Sequence, residues 1–358
     1  MVTVLGLDIG GANTKATYIS TKDATVTEYK SALEYFPFWK KDTKQLCEML
    51  SSIKGKVAGP VALDGVAVTI TAELSDIYRT KREGIHHVLD CVSQVFQGVK
   101  VWVLDVDAEL QSVEAAKAEP LKVAAANWAA TGWLVSQYLQ DCVVVDAGST
   151  STSIIPIKGG VVAAEGKTDL EKLINGELVY TGCLRTNVAA VVSRVPVHGG
   201  AARVSSELFA QSGDVHLFLG NITPEQYTTE TADGKGKTVD DAAARLARVV
   251  CADVEMLSGQ EIHAIAVAVY REQVGQITEA LNQIYSRVKG SPKRTIPVVV
   301  TGMGKDFLAR RAAERAGIAQ IVSIEDVLPA GTALVSPSVG VALKVATKLE
   351  VRDVNWMP

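Results

Sequence analysis

Leu5-Gly6-Leu7-Asp8-Ile9-Gly10-Gly11-Ala12-Asn13-Thr14-Lys15 opens the chain, and Val143-Val144-Val145-Asp146-Ala147-Gly148-Ser149-Thr150-Ser151-Thr152-Ser153 repeats its plan further on. Asp8 matches Asp146, Gly10 matches Gly148, Thr14 matches Thr152 and Ile19 matches Ile157 at one constant spacing. Each stretch reads as a buried strand ending in a carboxylate, a glycine-containing turn, and a second strand. The echo is weak as identity but informative as architecture: two similar lobes around one cleft would set the two hairpins opposite each other.

The chemistry of the two turns points to an anion. Gly10 and Gly11 let backbone approach a phosphate closely, while Asn13, Thr14 and Lys15 add donors and positive charge. Asp8 at the strand end can hold Mg²⁺, because hard cations take oxygen ligands. Gly148, Ser149, Thr150, Ser151, Thr152 and Ser153 form a hydroxyl-rich partner loop beside Asp146, the second candidate metal ligand. The plainer reading, two polar turns with solvated aspartates, is weakened by the match between them.

Working outward, Gly65 to Thr71 reads as a strand, Thr43 to Ile53 and Ile85 to Phe96 as amphipathic helices, and Val99 to Val106 as another strand. The first lobe then closes near residue 125, giving lobes of 1–125 and 126–358. In the second, helices are expected over Val123 to Leu139, Asp240 to Leu257, Ala264 to Ser286 and Lys305 to Ala316, with a strand over Ile296 to Thr301. Ser336 and Pro337 start a final helix, about 337–349, that is expected to pack back on the first lobe. Gly302 and Gly304, after the strand, allow a backbone to lie against a flat group such as adenine, although a bare turn explains them equally.

Further polar residues gather at strand ends. Asp105, Asp107 and Glu109 share one face if their strand persists, and one of them is a candidate general base; they serve equally well as a helix cap. Glu73 follows the Gly65 to Thr71 strand, with Arg79 and Arg82 placed to grip a phosphate or carboxylate, or to line an exposed loop. Tyr180 to Thr186 sets Arg185 and Thr186 around a glycine turn, suited to the acidic end of a substrate or to a plain surface loop. Cys183 has no histidine partner and reads as structural, and the five histidines show no metal-ligand spacing.

Composition narrows the classes. Of 358 residues 47% are apolar and 21% charged, the profile of a globular enzyme large enough for two cores. A net charge of −4 without a basic stripe argues against nucleic acid, and no run approaches the ~20 apolar residues of a membrane span. The five scattered cysteines fit a reduced, soluble cytoplasmic protein.

The two turns together with Thr301-Gly302-Met303-Gly304 resemble the phosphate-1, phosphate-2 and adenosine motifs of the acetate and sugar kinase, heat-shock protein and actin superfamily. That resemblance implies an α/β, two-lobed, actin-like and ribonuclease H-like duplicated fold with a central cleft. More narrowly, Leu5 to Lys15, Val68-Thr69-Ile70-Thr71-Ala72-Glu73-Leu74, Ala126-Asn127-Trp128-Ala129-Ala130 and Tyr180 to Thr186 resemble the hydantoinase/oxoprolinase-related proteins linked to tetrahydromethanopterin C1 transfer. The archaeal branch of that family implies a transferase of methanofuran biosynthesis. It would condense an aminomethylfuran-methyl diphosphate with a tyramine- or tyrosine-derived phenol, forming an aryl ether and releasing diphosphate.

Carried onto this sequence, the resemblance implies diphosphate and Mg²⁺ binding by Asp8, Gly10, Gly11, Asn13, Thr14, Lys15, Asp146, Gly148, Ser149 and Thr150. Ser151, Thr152, Gly302 and Gly304 complete the phosphate and nucleotide set, and Arg79, Arg82, Asn127, Arg185 and Thr186 the substrate set. The phenol base is one of Asp105, Asp107 and Glu73. The chain departs from a kinase in lacking a catalytic aspartate motif after the connecting helix, which leaves ATP as an alternative ligand. An ATP-dependent small-molecule kinase and a non-catalytic nucleotide sensor are the rival readings. A homodimer is the candidate assembly.

Overall fold

Val2 to Gly10 alternates little and is buried on both faces, as expected of a strand inside a sheet covered on each side. The computed structural model describes residues 1–41, 44–291 and 294–356. In chain order these form β1 (Val2–Gly10), β2 (Asn13–Lys22), β3 (Thr25–Tyr35), α1 (Gln45–Val57), β4 (Gly65–Thr71), α2 (Lys81–Val95), β5 (Val101–Leu104), β6 (Leu110–Gln111), α3 (Val113–Ala118), α4 (Pro120–Val123) and α5 (Asn127–Ser136). Next come β7 (Cys142–Ala147), β8 (Thr152–Lys158), β9 (Val161–Val162), α6 (Asp169–Asn175), β10 (Leu178–Val179), α7 (Val188–Val191), β11 (Arg194–Val197), β12 (Gly200–Arg203), α8 (Ser212–Phe218), α9 (Val239–Arg248) and α10 (Gly259–Lys289). The chain ends with β13 (Val298–Thr301), α11 (Arg310–Arg315), β14 (Ile321–Ser323), α12 (Thr332–Glu350) and β15 (Asn355–Trp356).

The fold is mixed α/β with two main sheets. One runs β15-β3-β2-β1-β4-β5-β6 and the other β10-β8-β7-β13-β14, with β9 beside β8. In the first, β1, β2 and β3 form an antiparallel meander continued by parallel β4 and β5. In the second, β13 and β14 lie parallel to β7. Both sheets therefore follow one ribonuclease H-like order, the hairpin strands on one side and the later parallel strands on the other.

The chain divides into two compact units, Met1–Cys142 with Ile155–Asn175 and Ile324–Pro358, and Val143–Ile154 with Gly176–Ser323. This differs from a boundary at 125: residues 126–142, 155–175 and 324–358 go with the first unit. The physical reason is close packing. A side chain at Gly6 in β1 would stand 2.1 Å from the Ser338 carbonyl of α12, and one at Gly340 in α12 would stand 2.4 Å from the Ala130 carbonyl of α5. Bare backbone at these positions draws β1, α12 and α5 together. The first core gathers Leu5, Leu7, Ile9, Leu46, Leu50, Ile53, Val88 and Val92. In the second unit α10 begins with a Ser258/Glu261 capping box, ends at left-handed Gly290, and buries Ile277, Leu281 and Ile284 against Val298 and Val300.

Several expected elements are shorter than their apolar patterns suggested. The Val123 to Leu139 helix is interrupted at Ala125, whose φ is +53°, and α5 starts at Asn127. The Asp240 to Leu257 helix stops as α9 at Arg248, before Cys251 at φ +59°. Residues Lys305–Ala309 form a π-turn ahead of α11. Within α12 the backbone kinks at Val335, so Ser336 and Pro337 open its second segment. The expected start of the first helix at Thr43 lies outside the described residues. No helix among the described residues is long and apolar enough to cross a membrane.

Candidate active site

In the first unit the β1–β2 turn is built around one ion pair. Asp8 faces Lys15 across the hairpin, with Lys15 Nζ 3.0 Å from Asp8 Oδ2. Asp8 is 2% exposed, and its second oxygen, Oδ1, has no hydrogen-bond partner. Asn13 Oδ1, Thr14 Oγ1 and Thr69 Oγ1 are likewise buried without partners, and Thr69 of β4 is the strand neighbour of Asp8. Unsatisfied buried oxygens are costly and rare unless a ligand completes them. Gly10 is required by the turn, since a Cβ would fall 2.7 Å from the Asn13 carbonyl. A Cβ on Gly11 would meet Ser75 Oγ at 3.1 Å, so the turn lies against the segment that follows β4.

That segment carries Glu73, in a 3₁₀ turn over Ala72–Leu74. Glu73 is 1% exposed, and Gly84 of α2 makes room for it: a Cβ there would stand 2.6 Å from the Glu73 Cα. Lys81, at the start of α2, sits 3.3 Å from Glu73 Oε1 and 3.0 Å from Asp169 Oδ2 in α6. Burial pushes the Glu73 carboxyl up to about 7 against the opposing pull of Lys81. Lys172, also from α6, lies 4.1 Å over the Trp128 ring, next to Asn127 at the half-exposed start of α5. Lys81, Asp169 and Lys172 were not singled out from the sequence, because nothing local joins residues so far apart in the chain.

Asp105 is placed differently from a base. β5 ends at Leu104, so Asp105, Asp107 and Glu109 do not line one strand face. Asp105 is buried; its Oδ1 accepts from the Asp107 and Glu109 amides at 2.9 and 2.8 Å, and its Oδ2 accepts from Gln111 Nε2 at 2.7 Å. It ties a turn rather than capping a helix. Asp107 is exposed and pairs with Lys167 at 2.8 Å. Arg79 and Arg82 are exposed near the start of α2.

In the second unit three loops meet. Gly148 N donates to the Ser151 carbonyl at 2.9 Å, and the Leu184 and Arg185 amides donate to the Ser149 carbonyl at 2.9 and 3.1 Å. A Cβ on Gly182 would stand 2.5 Å from the Thr150 carbonyl carbon, and Thr152 Oγ1 donates to the Thr181 carbonyl at 2.8 Å. Gln273 of α10 braces this loop through Thr181 Oγ1 at 2.7 Å and the Gly182 carbonyl at 3.1 Å. Arg185 Nη1 donates to Thr150 Oγ1 at 3.4 Å. The Thr186 hydroxyl, expected on substrate, accepts from Gly182 N at 2.9 Å and so serves the loop itself.

Gly302 and Gly304 pack on the same place from β13. Asp146 stands beside Thr301 as Asp8 stands beside Thr69. Gly302 has φ +86°, and a Cβ there would fall 2.4 Å from the Ala147 carbonyl and 2.6 Å from Asp146 Oδ1. Gly302→Ala is expected to cost about 2 kcal/mol of stability through strained backbone and displaced neighbours, read as a lower urea midpoint. Burial pushes the Cys183 thiol well up and the His216 imidazole down to about 3, so both stay neutral near pH 7. A cavity of about 690 Å³ in this unit is lined by Arg271, Arg311, Arg315, Asp306, Tyr270 and Phe307, among others.

Residues 64–346 match the family model described as hydantoinase/oxoprolinase. The chain is 39% identical over 350 residues, 98% of its length and 99% of the relative's, to the (4-{4-[2-(gamma-L-glutamylamino)ethyl]phenoxymethyl}furan-2-yl)methanamine synthase of Methanocaldococcus jannaschii. It is 34% identical over 221 residues, 61% of its length and 97% of the relative's, to the synthase of the same description from Methanococcus vannielii. Among solved structures it resembles nucleotide-free acetone carboxylase at a TM-score of 0.56 and 9% identity, covering 96% of this chain and 70% of the other. That last likeness concerns the fold alone. The family match covers most of the sequence and the first relative nearly all of it: the chain belongs to the hydantoinase/oxoprolinase family.

Proposed function

We propose that this protein forms the aryl ether of a methanofuran precursor, joining an aminomethylfuran-methyl diphosphate to a tyramine- or tyrosine-derived phenol and releasing diphosphate. The observation that carries this reading is the 39% identity over nearly the whole of both chains to a synthase whose product is a phenoxymethyl furan. In such a product the ether oxygen joins the benzene ring to the furan-bound CH₂. The furfuryl C–O bond breaks with its electron pair leaving on diphosphate, the furan oxygen delocalises the positive charge on carbon, and the phenol oxygen supplies the new bond.

The first unit's turn fits the departing group. Lys15 brings a cation, and the glycine turn brings backbone amides, to an anion whose charge grows as the bond breaks. Asp8 Oδ1, buried and unpartnered, fits a hard cation, and Asp146 is the corresponding carboxylate of the second unit. Mg²⁺ held by Asp8 would neutralise diphosphate. No group of three or more His, Cys, Asp or Glu side chains that could hold a metal occurs among the described residues; phosphate oxygens would complete the shell.

The cavity in the second unit favours one alternative: an ATP-dependent kinase, with a phosphorylated ring between Tyr270, Phe307 and the three arginines. The purified protein with Mg²⁺, furfuryl-type diphosphate and phenol separates the two. Diphosphate release that requires the phenol supports the ether synthase. ADP formation from ATP with the same phenol supports the kinase.

A further inference from the structure

Glu73 is the buried candidate base that keeps an oxygen without any partner: Lys81 pairs with Oε1 at 3.3 Å, and Oε2 meets no donor. Asp105 is consumed by two amides and Gln111, and Asp107 is exposed and paired with Lys167. The Glu73 side chain is fully buried, and apart from the ion pair of Oε1 with Lys81 it has no polar partner. Its charged neighbours are Lys81 from α2 and Asp169 from α6. Side-chain exposure rises along this row, from 0% at Glu73 to 24% at Lys81 and 26% at Asp169. The Gly10–Gly11 turn abuts Thr71 and Ser75, which flank Glu73.

From this geometry we propose that Glu73 is the catalytic base that takes the phenolic proton of the acceptor, with Lys81 and Asp169 as its positioning residues. A buried carboxylate oxygen without a donor calls for one, and the acceptor's O–H is a donor of the right kind. Lys81 has a flexible four-carbon stem and a second carboxylate to rest on, so it can turn to Asp169 while the phenol takes its place. The step balances: the O–H bond breaks to Glu73, the phenolate oxygen bonds to the furfuryl carbon, and the carbon's bond to diphosphate breaks with its electrons. A carboxyl raised to about 7 is matched to such a transfer near neutral pH. Because burial disfavours its charged form, ionised Glu73 weakens the fold as pH rises through about 7, so Glu73→Gln removes a cost there rather than a support.

The proposal rests on the ether-synthase reading, and its test uses the full chain with furfuryl-type diphosphate and a series of ring-fluorinated tyramines of falling phenol pKa. Glu73→Gln is expected to lose about 10²–10⁴-fold in kcat with tyramine, to regain much of it with the most acidic phenol, and to melt no lower than wild type at pH 8. Wild type should show a kcat/KM limb rising with pH through about 7, which the variant lacks; the wild-type limb can be read even if the variant folds poorly. A variant equally slow with every phenol, or as fast as wild type, or a wild type without that limb, overturns the assignment of Glu73 alone. A wild type that releases no diphosphate with any phenol overturns the reading beneath it as well.

Discussion

Replacing Asp8 by asparagine is expected to lower kcat/KM for phenol-dependent diphosphate release by on the order of 10³-fold, or ~4 kcal/mol of transition-state stabilisation, while leaving the fold intact. Asparagine has nearly the same shape and can still meet Lys15 Nζ, now 3.0 Å from Oδ2. What disappears is the charge whose other oxygen is buried with no protein partner. A structural salt bridge would behave otherwise: Lys15 is about a quarter exposed, and a partly solvated pair contributes only ~1 kcal/mol. Thermal melts beside steady-state kinetics tell the two apart. A variant that melts within a few degrees of wild type yet barely turns over supports the ligand role, and a variant with full activity removes it.

The largest stability effect is expected at a buried ion pair of the second unit. Arg245 of α9 is fully buried; its Nε donates to Asp214 Oδ1 at 2.8 Å and its Nη1 to Asp233 Oδ1 at 3.0 Å. Asp214 is also buried, receives the Tyr227 hydroxyl at 3.2 Å, and closes the capping box of α8. Arg245→Met keeps much of the packing but strands a buried carboxylate, at a cost of about 3–5 kcal/mol. Burial already pushes Asp214 above the ordinary carboxylate range with its arginine in place, and losing that cation raises it further. The folded-state value then lies above the unfolded one, so the penalty is smallest at low pH and grows as pH rises through the folded value. Urea melts at pH 5 and pH 8 check the sign, and Asp214→Asn in the same chain should recover part of the loss at pH 8. Equal penalties at both pH values would show that lost packing, not charge, is responsible.

These two sites mark what was legible in the sequence. The Asp8 and Asp146 turns were readable because strand, carboxylate, glycine and hydroxyl follow one another within a few residues, and the repeat made each support the other. The structure deepens that repeat: Thr69 stands by Asp8 as Thr301 stands by Asp146, a correspondence that needs strand pairing to be seen. The Arg245–Asp214 pair left no local trace, and neither did Lys81–Asp169. Segments 155–175 and 324–358 went with the first unit for a similar reason, since contacts such as Gly6 against Ser338 depend on long-range packing. Helix ends failed where alanine or cysteine adopts positive φ, at Ala125 and Cys251, which propensity gives no reason to expect. Among the acidic candidates, residue type was visible but burial was not, and burial is what separates Glu73 from Asp107.

The central claim, that a phenol oxygen displaces diphosphate from a furfuryl carbon, is tested most directly by labelling that oxygen. With ¹⁸O in the phenol, mass spectrometry should find the label retained in the aryl ether and absent from the diphosphate released. Label carried into a phosphorylated phenol, with ADP formed from ATP and no ether, would contradict it.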